Sequence, residues 1–389
     1  MTDTRPSAIT PDAYVLGVDS GGSGLRVALG RAGSDGPLST AVCAEPVRTG
    51  TGGIDASHLL DQLLPVAAEL LERAAVGGGC PGNGPAGNGP TGSGLTADGS
   101  AQVAALAVGA AGMATLGGRL RAELPGALAA ALGVRRLALA ADAVTAYAGA
   151  VGQRPGAVVA GGTGMIALGT DLVEWRRADG WGHLLGDNGS GAWIGRAGLE
   201  AAMRAHDGRR GGSPALLHRL RSVFGPAEEL PGLLYPRSDR PAVLASFAPE
   251  VAACAGADAV AADILRRAGV HIAEAAAAVC PKEGAEADGG CEVALTGGLF
   301  RMGEPLIGPV REELARLVPQ ARLTTGAGDP LTGALRIARA LAADDLRLPN
   351  HPTMLSVQNT RNGSAPSGRA TTVRNGEPGP DDVPAHGAP

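Results

Sequence analysis

The stretch from Gly156 to Arg196 restricts the fold of this chain more than any other. Two apolar runs, residues 157–160 and 165–168, stand on either side of a turn made of three glycines and Thr163. This pattern predicts a strand, a sharp turn and a returning strand. Because glycine lets backbone N–H groups converge on one point and Thr163 adds a hydroxyl, the turn suits a phosphate group.

The second half of this stretch places polar groups and glycines beside a large ring. Trp181 is followed by His183 and Asp187, and then by Ser190, where the apolar spacing predicts the start of a helix. A glycine-rich hairpin with a capped helix would explain the turn alone. It would not require so many polar and glycine positions together, so we interpret this segment as a binding loop.

Composition narrows the class of protein. With 389 residues, 44% of them hydrophobic, the chain is long enough for two domains with cores of their own. Its net charge of −5 argues against a nucleic-acid surface. Lys282 is the only lysine. This excludes a Walker A loop and the strand lysine of protein kinases, since both place a lysine at the phosphates.

The cysteines and the apolar segments indicate the cellular compartment of the protein. The five cysteines are scattered and form no CxxC pair, so we expect reduced thiols. The first residues lack the basic and apolar regions of a signal peptide. Glycine, arginine or aspartate interrupts every apolar run before it reaches membrane-spanning length. We therefore expect a cytoplasmic protein with neither a nucleic-acid nor a membrane partner.

Two further glycine turns follow predicted strands. Residues 14–19 form a predicted strand that ends on a carboxylate, the glycine turn 20–24 follows, and residues 25–29 return. A hairpin of this kind differs from the strand–turn–helix unit of a dinucleotide site, and the GxGxxG pattern is absent. The other turn lies at residues 296–298, after a short apolar strand.

The rest of the chain divides into periodic and low-complexity segments. Residues 1–12 and 346–389 read as disordered tails, and residues 77–100 as a flexible Gly/Pro-rich insertion. Asp142 follows a predicted strand and precedes a predicted helix, so its ordinary structural role would be that of an N-cap. Apolar periodicity predicts helices near residues 54–75, 143–150, 214–223, 241–253, 258–279, 304–317 and 330–341.

Six motifs in this order resemble the actin-like ATPase and sugar-kinase superfamily. The closest likeness is to the BadF/BadG ATPase family, which includes the eukaryotic-type N-acetylglucosamine kinases. The motifs are GVDSGGSGLR (17–26), ADAVTAY (141–147), GGTGMIALG (161–169), GWGHLLGDNGSGAWIG (180–195), LTGGLF (295–300) and GDPLTGAL (328–335). The resemblance implies an α/β fold of two actin-like, ribonuclease H-like domains. Each would be a mixed β-sheet flanked by helices, spanning residues 13–141 and 142–345, with a nucleotide cleft between them.

The resemblance also implies a role for each matching residue. Asp142 would be the catalytic aspartate that accepts a proton from the attacking sugar hydroxyl, and it could cap its helix as well. Asp19 would hold Mg²⁺ through water, while His183 could either be a ligand or support its loop. The residues expected at the ATP phosphates and the adenosine are Gly21, Gly22, Ser23, Thr163, Gly164, Gly297 and Gly298. The residues expected at the amino sugar are Gly112, Trp181, Gly182 and Asp187.

Three positions depart from the family pattern. The first turn usually reads GGGTKT, whereas here it reads SGGSGL, so the lysine is missing while Ser23 keeps a hydroxyl. Asn188 stands where glutamate is common. Met165 replaces a serine and removes a hydroxyl from the second turn. The missing lysine leaves one phosphate contact to be supplied elsewhere, and Asn188 bears on the choice of sugar.

The leading hypothesis is an ATP-dependent kinase of an amino sugar, with N-acetylglucosamine at its 6-hydroxyl as first choice and glucosamine as second. An alternative is the ATP-driven activator class of this family, which carries an iron–sulfur cluster on cysteines, but the scattered cysteines lack that motif context. A non-catalytic sugar sensor is disfavoured because Asp19, Asp142 and Asp187 are all retained. Neither end shows a helix-turn-helix extension, which disfavours a repressor. The sequence leaves a homodimer open.

Overall fold

The computed structural model describes residues 10–21, 24–50, 53–77, 103–113, 117–281 and 291–359. Gly22 and Ser23 of the first predicted turn therefore lie outside the described residues, as do residues 78–100 of the predicted insertion and the tail beyond residue 359. Within the described ranges no single helix is long and apolar enough to cross a membrane. The sharply bent pair Arg240–Cys254 and Ala259–Val279 would pass on length and composition alone.

Six strands form the first sheet. They are β1 (Tyr14–Gly21), β2 (Gly24–Arg31), β3 (Ser39–Cys43), β6 (Val103–Ala110), β7 (Arg136–Ala141) and β13 (Leu355–Asn359), in the spatial order β13-β7-β6-β1-β2-β3. β1 pairs antiparallel with β2, as the glycine turn predicts, and parallel with β6. β1 and β6 are buried along nearly their whole length, because helices cover both faces of a mainly parallel sheet centre.

Five strands form the second sheet. They are β8 (Gly156–Gly161), β9 (Met165–Thr170), β10 (Trp175–Asp179), β11 (Cys291–Thr296) and β12 (Ala321–Thr325), in the order β10-β9-β8-β11-β12. The predicted hairpin across residues 161–164 is confirmed as the antiparallel pair β8 and β9. β11 pairs parallel with both β8 and β12. A small pair, β4 (Thr49–Gly50) and β5 (Gly53–Ile54), stands apart from both sheets.

Helices pack on these sheets, and most follow the predicted periodicity. They are α1 (Ala56–Gly77), α2 (Gly118–Leu132), α3 (Asp142–Ala150), α4 (Gly191–His206), α5 (Pro214–Phe224), α6 (Leu230–Leu234), α7 (Arg240–Ser246), α8 (Ala248–Cys254), α9 (Ala259–Val279), α10 (Glu304–Leu317) and α11 (Pro330–Ala343). Short 3₁₀ turns cover Ala227–Glu229 and Gly298–Met302. The single helix predicted over residues 241–253 is two short helices, α7 and α8.

The last helix, α11, packs on the first sheet although it follows the second sheet in the chain. A Cβ on Gly17 of β1 would lie 2.5 Å from the backbone nitrogen of Leu335, so glycine allows the close approach of this helix to the strand. A Cβ on Gly333 would likewise collide with the carbonyl oxygen of Thr145 in α3. The division of the chain at residues 141 and 142 stays a prediction, because the hydrophobic cores do not follow chain order.

The prediction of a disordered tail from residue 346 is wrong as far as residue 359. β13 pairs antiparallel with β7 and closes one edge of the first sheet. Leu348, Met354 and Leu355 are buried in the first core. Composition rich in Pro, Gly and Asn concealed a short edge strand, because the apolar residues that anchor it are few and unevenly spaced.

The second core contains a close pair of thiols. Cys280 follows the end of α9 and Cys291 begins β11, and both side chains are buried. Their Sγ atoms lie 2.8 Å apart. The two cysteines thus belong to the packing of the second sheet against α9.

Candidate functional site

A cavity of about 1080 Å³ lies where strand ends and loops of the two sheets meet. The turn after β6 and the start of α3 line it from the first sheet, and the turns after β8 and β11 line it from the second. The predicted site residues that it brings together are Gly112, Asp142, Thr163, Gly164, Gly182, Asp187, Gly297 and Gly298. Segments that are distant in the chain therefore share one cleft.

Asp142 is a half-buried residue that lines this cleft. It is the first residue of α3 and follows Ala141, which holds the N-cap position predicted for Asp142. Its Oδ1 accepts a hydrogen bond from the backbone N–H of Ala143 at 2.9 Å. Burial raises the pKa of Asp142, and the negative charge of Asp19 acts in the same direction. The carboxylate thus combines the helix-end contact expected of a cap with an environment that favours taking up a proton.

Asp19 is buried near the end of β1 and is bound by Arg26 from β2. The register of the hairpin places the two residues opposite each other. Arg26 Nε donates to Asp19 Oδ2 at 3.0 Å, and Arg26 Nη1 reaches Asp329 Oδ2 at 2.6 Å. Burial raises the pKa of Asp19, although the guanidinium of Arg26 acts in the opposite direction. Asp19 and the half-buried Gly21 are not among the residues that line the cleft, but the charge of Asp19 reaches Asp142.

The turn between β8 and β9 is fixed by the start of α4. The backbone N–H of Gly191 donates to the carbonyl of Gly162 at 2.9 Å, and that of Ala192 donates to the carbonyl of Thr163 at 3.0 Å. These contacts hold the turn while Thr163 remains exposed to the cleft. An exposed hydroxyl on a fixed glycine turn suits a phosphate oxygen.

Gly164 and Gly297 are glycines for steric reasons. A Cβ on Gly164 would lie 2.6 Å from Oδ2 of Asp187. Gly297 has a φ of 102°, and a Cβ there would lie 2.1 Å from the carbonyl oxygen of Gly161. Gly298, by contrast, has nothing within 4 Å of the position of a Cβ. It therefore leaves open space beside the backbone, which a flat ligand ring could approach.

Asp187 is buried at the base of the predicted sugar loop. Its Oδ1 accepts from the backbone N–H of Gly182 at 3.1 Å, and its φ of 54° is left-handed. The carboxylate of Asp179 accepts the backbone N–H groups of Asp187 and Asn188. Burial raises the pKa of Asp187, and the charge of Asp179 acts in the same direction. The loop thus presents a carboxylate whose position is set by backbone contacts.

Trp181 does not line the cleft. Its side chain is 62% exposed and borders a separate depression with Asn188 and His271. The guanidinium of Arg177 lies 4.3 Å from the centre of its ring. The structure therefore brings Gly182 and Asp187 into the cleft but leaves the ring of Trp181 at the outer side of the same loop.

Arg177 is a residue of the cleft that the sequence did not reveal. It lies on β10, an unpredicted strand whose sequence WRRAD contains three charged residues and little alternation. The one available signal was its position just before the Gly180–Gly182 segment of the loop. A short charged strand resembles a surface turn in sequence, so its place in the sheet became visible only in the fold.

One relative by sequence and two solved structures are similar to this chain. A relative, the N-acetylmuramic acid/N-acetylglucosamine kinase of Clostridium acetobutylicum, is 44% identical over 70 residues. That match spans 18% of this chain and 22% of the length of the relative. A solved Chromobacterium violaceum protein, provisionally named an N-acetylglucosamine kinase, is 28% identical with a TM-score of 0.57, covering 84% of this chain and 99% of its own.

A second solved structure shows the same fold at lower identity. It is a provisionally named N-acetylglucosamine kinase of Porphyromonas gingivalis, 16% identical with a TM-score of 0.52 over 83% of this chain and 97% of its own. The predicted α/β fold with two mixed sheets and flanking helices is confirmed. A family model for the BadF/BadG/BcrA/BcrD ATPase family matches residues 16–325. Since that match covers most of the chain, the protein belongs to the BadF/BadG/BcrA/BcrD ATPase family.

Proposed function

We propose that this protein is an ATP-dependent kinase of an amino sugar, with N-acetylglucosamine as the first substrate and glucosamine as the second. The observation that carries the proposal is the single cleft that joins Asp142 to two glycine turns and to the Asp187 loop. Its volume of about 1080 Å³ is large enough for a nucleotide and a sugar side by side. The names of the relatives point to the same class of substrate.

Asp142 is the proposed general base. A carboxylate whose pKa is raised takes up a proton more readily, and its place in the first turn of α3 lets the helix dipole stabilise the charged form. It would accept the proton of the sugar 6-hydroxyl as that oxygen attacks the γ-phosphate. The remaining task of the protein in phosphoryl transfer is to align the sugar hydroxyl with the γ-phosphate and to neutralise the charge of the phosphates.

The glycine turns are the proposed nucleotide site. Thr163 and Gly164 would contact the phosphates from the second sheet, and Gly297 and Gly298 would border the adenosine. The first turn, with Gly21, Gly22 and Ser23, would contact the phosphates from the first sheet. The description of the family as ATPases supports ATP as the phosphate donor.

The donor set fits a magnesium ion carried by the nucleotide. Mg²⁺ is commonly held by one or two carboxylates together with substrate phosphates and water. Asp19 is a buried carboxylate within electrostatic reach of Asp142, which suits a cation between them and the phosphates. Asp19 would hold Mg²⁺ through water, and the ion would neutralise charge on the transferred phosphate.

The sugar would lie between Asp142 and the loop that carries Gly182 and Asp187. The buried carboxylate of Asp187 can accept hydrogen bonds from sugar hydroxyls, and Gly112 leaves room for close backbone approach. Asn188 is neutral where the family commonly has glutamate, which favours the uncharged acetamido sugar over cationic glucosamine. Trp181 would reach the sugar only through a movement of its loop.

The activator class of this family is not favoured by the position of the thiols. Cys280 and Cys291 are buried inside the second core, where they pack between α9 and β11. An iron–sulfur cluster is commonly held by four cysteine thiolates, and among the described residues no group of three or more His, Cys, Asp or Glu side chains could hold a metal.

Substitution of Asp142 tests the proposal. Asp142→Asn keeps the acceptor oxygen for the Ala143 N–H and removes the base, so we expect turnover of N-acetylglucosamine to fall by about 10²-fold or more. ADP release measures turnover, and calorimetric titration with ATP should show little change in nucleotide affinity. Turnover at the wild-type rate in the variant would mean that Asp142 only accepts a backbone hydrogen bond at the start of α3 and is not the base.

A further inference from the structure

We propose that Arg177 is a positioning residue that holds the sugar loop, residues 179–188, in the shape that binds substrate. The inference rests on the proposed kinase function. Arg177 is half-buried, lines the cleft and belongs to the rigid sheet rather than to the loop. Because Arg177 is anchored on the paired strands β9 and β10, its contacts can fix the position of the sugar loop, which has no regular structure.

Arg177 binds three successive residues at the start of this loop. Its Nε donates to the carbonyl of Asp179 at 3.1 Å, and its Nη2 donates to the carbonyl of Gly180. Its guanidinium lies over the ring of Trp181 at 4.3 Å. The planar guanidinium suits this task because one rigid group supplies two N–H donors and a face for the ring.

Asp179, which Arg177 contacts, in turn binds the residues of the loop that are proposed to contact the sugar. The carboxylate of Asp179 accepts the N–H groups of Asp187 and Asn188, which closes the loop on itself. Asp187 then binds the N–H of Gly182. A chain of contacts thus leads from Arg177 through Asp179 to the buried carboxylate of Asp187.

Charge supports the same arrangement. Among the described residues that line the cleft, Arg177 is the one side chain of permanent positive charge, and its charge acts on the carboxylates of both Asp142 and Asp187. Burial raises the pKa of Asp187, and the positive charge of Arg177 acts in the opposite direction. The cation thereby favours the ionised carboxylate that accepts hydrogen bonds from sugar hydroxyls.

The neighbouring arginine is a matched control. Arg176 precedes Arg177 on β10, so its side chain leaves the opposite face of the sheet. It contacts Glu174 at 3.2 Å and Asp171 at 3.7 Å, and it does not line the cleft. Replacing it removes an equal charge from the same strand without touching the loop.

The test compares Arg177→Met, Arg177→Lys and Arg176→Met with the wild type. In Arg177→Met we expect the KM for N-acetylglucosamine to rise about tenfold or more, because two charge-assisted hydrogen bonds to the loop are lost. The KM for ATP should stay within about twofold, because Gly191 and Ala192, which follow this loop, hold the β8–β9 turn through their backbone N–H groups. Arg177→Lys should restore little, because an ammonium group lacks the two-donor geometry. Arg176→Met should match the wild type.

A second readout does not depend on activity. Hydrogen exchange of the backbone N–H groups of Gly182, Asp187 and Asn188 should be faster in Arg177→Met and unchanged in Arg176→Met. Equal exchange in Arg177→Met and the wild type, or an unchanged KM for the sugar, would overturn the inference. If the wild type phosphorylates no sugar, the proposed function fails, and the exchange experiment still decides whether Arg177 holds the loop.

Discussion

Asp187 occupies a backbone conformation and an environment that both cost free energy. Its φ of 54° is left-handed, which few side chains other than those of Asn and Asp adopt readily, and its carboxylate is buried. Asp179, with a φ of 61°, shares the left-handed conformation and accepts both N–H groups that hold the end of the loop. Strained residues of this kind persist where the surrounding contacts fix them, and they concentrate at functional sites.

Asp187→Asn should make the protein more stable while weakening sugar binding. Because the pKa of Asp187 is raised in the folded state, the ionised carboxylate costs stability at neutral pH, and this cost disappears as the pH falls through that pKa. Asparagine keeps an acceptor for Gly182 and tolerates the left-handed backbone. We expect a higher Tm for the variant at about pH 7 and a smaller difference at acidic pH.

Differential scanning calorimetry at several pH values measures this effect. A variant that is less stable than the wild type by the same amount at every pH would contradict the argument. It would show that the hydrogen bonds of the carboxylate outweigh its burial.

Gly164, in the turn between β8 and β9, lies against Asp187, and its role can be tested by comparison with its neighbour Gly162. A Cβ on Gly164 would lie 2.6 Å from Oδ2 of Asp187, whereas a Cβ on Gly162 would meet nothing within 4 Å. Gly164→Ala should displace the carboxylate and lower kcat/KM for the sugar by about 10²-fold. Gly162→Ala should leave the KM for the sugar unchanged. Equal sugar kinetics in both variants would mean that Asp187 does not bind the sugar.

At the scale of elements, the hairpins and most of the helices followed from the sequence, while two edge strands did not. Glycine turns between apolar runs predicted the β1–β2 and β8–β9 hairpins, and apolar periodicity predicted α9, α10 and α11. β10 and β13 were missed because each has five residues, lies at a sheet edge and carries charged or polar side chains. Edge strands have only one partner, so their sequence carries a weaker pattern.

β13 makes a testable contribution to stability. A chain ending at residue 345 would lose the pairing of β13 with β7 and the buried side chains of Leu348 and Leu355. Burying two leucines contributes about 4 kcal/mol. We expect a clearly lower Tm for this chain by thermal melting, and an unchanged Tm for a chain ending at residue 359. Equal melting temperatures for the two truncated chains would show that β13 contributes little.

At the scale of the whole molecule, the cleft depends on the packing of α3 against α11 and against both sheets. α11 covers the first sheet and packs along α3, while α3 also meets strands of the second sheet. Arg26 adds an ionic link, because it binds Asp19 on β1 and Asp329 at the start of α11. The sequence predicted the two sheets and eight of the residues that line the cleft. It could not predict the packing of α3 against α11, the place of Arg177, or the outward position of Trp181, because each depends on how distant segments pack.

The most direct test of the proposed function is ³¹P NMR of the products formed from ATP, Mg²⁺ and N-acetylglucosamine. We expect ADP and a sugar phosphate ester at the 6-position to appear in equal amounts, with glucosamine reacting more slowly. Preference for glucosamine would revise the sugar and leave the kinase in place. Consumption of ATP to ADP and inorganic phosphate without any sugar ester, or no consumption at all with either amino sugar, would contradict the account.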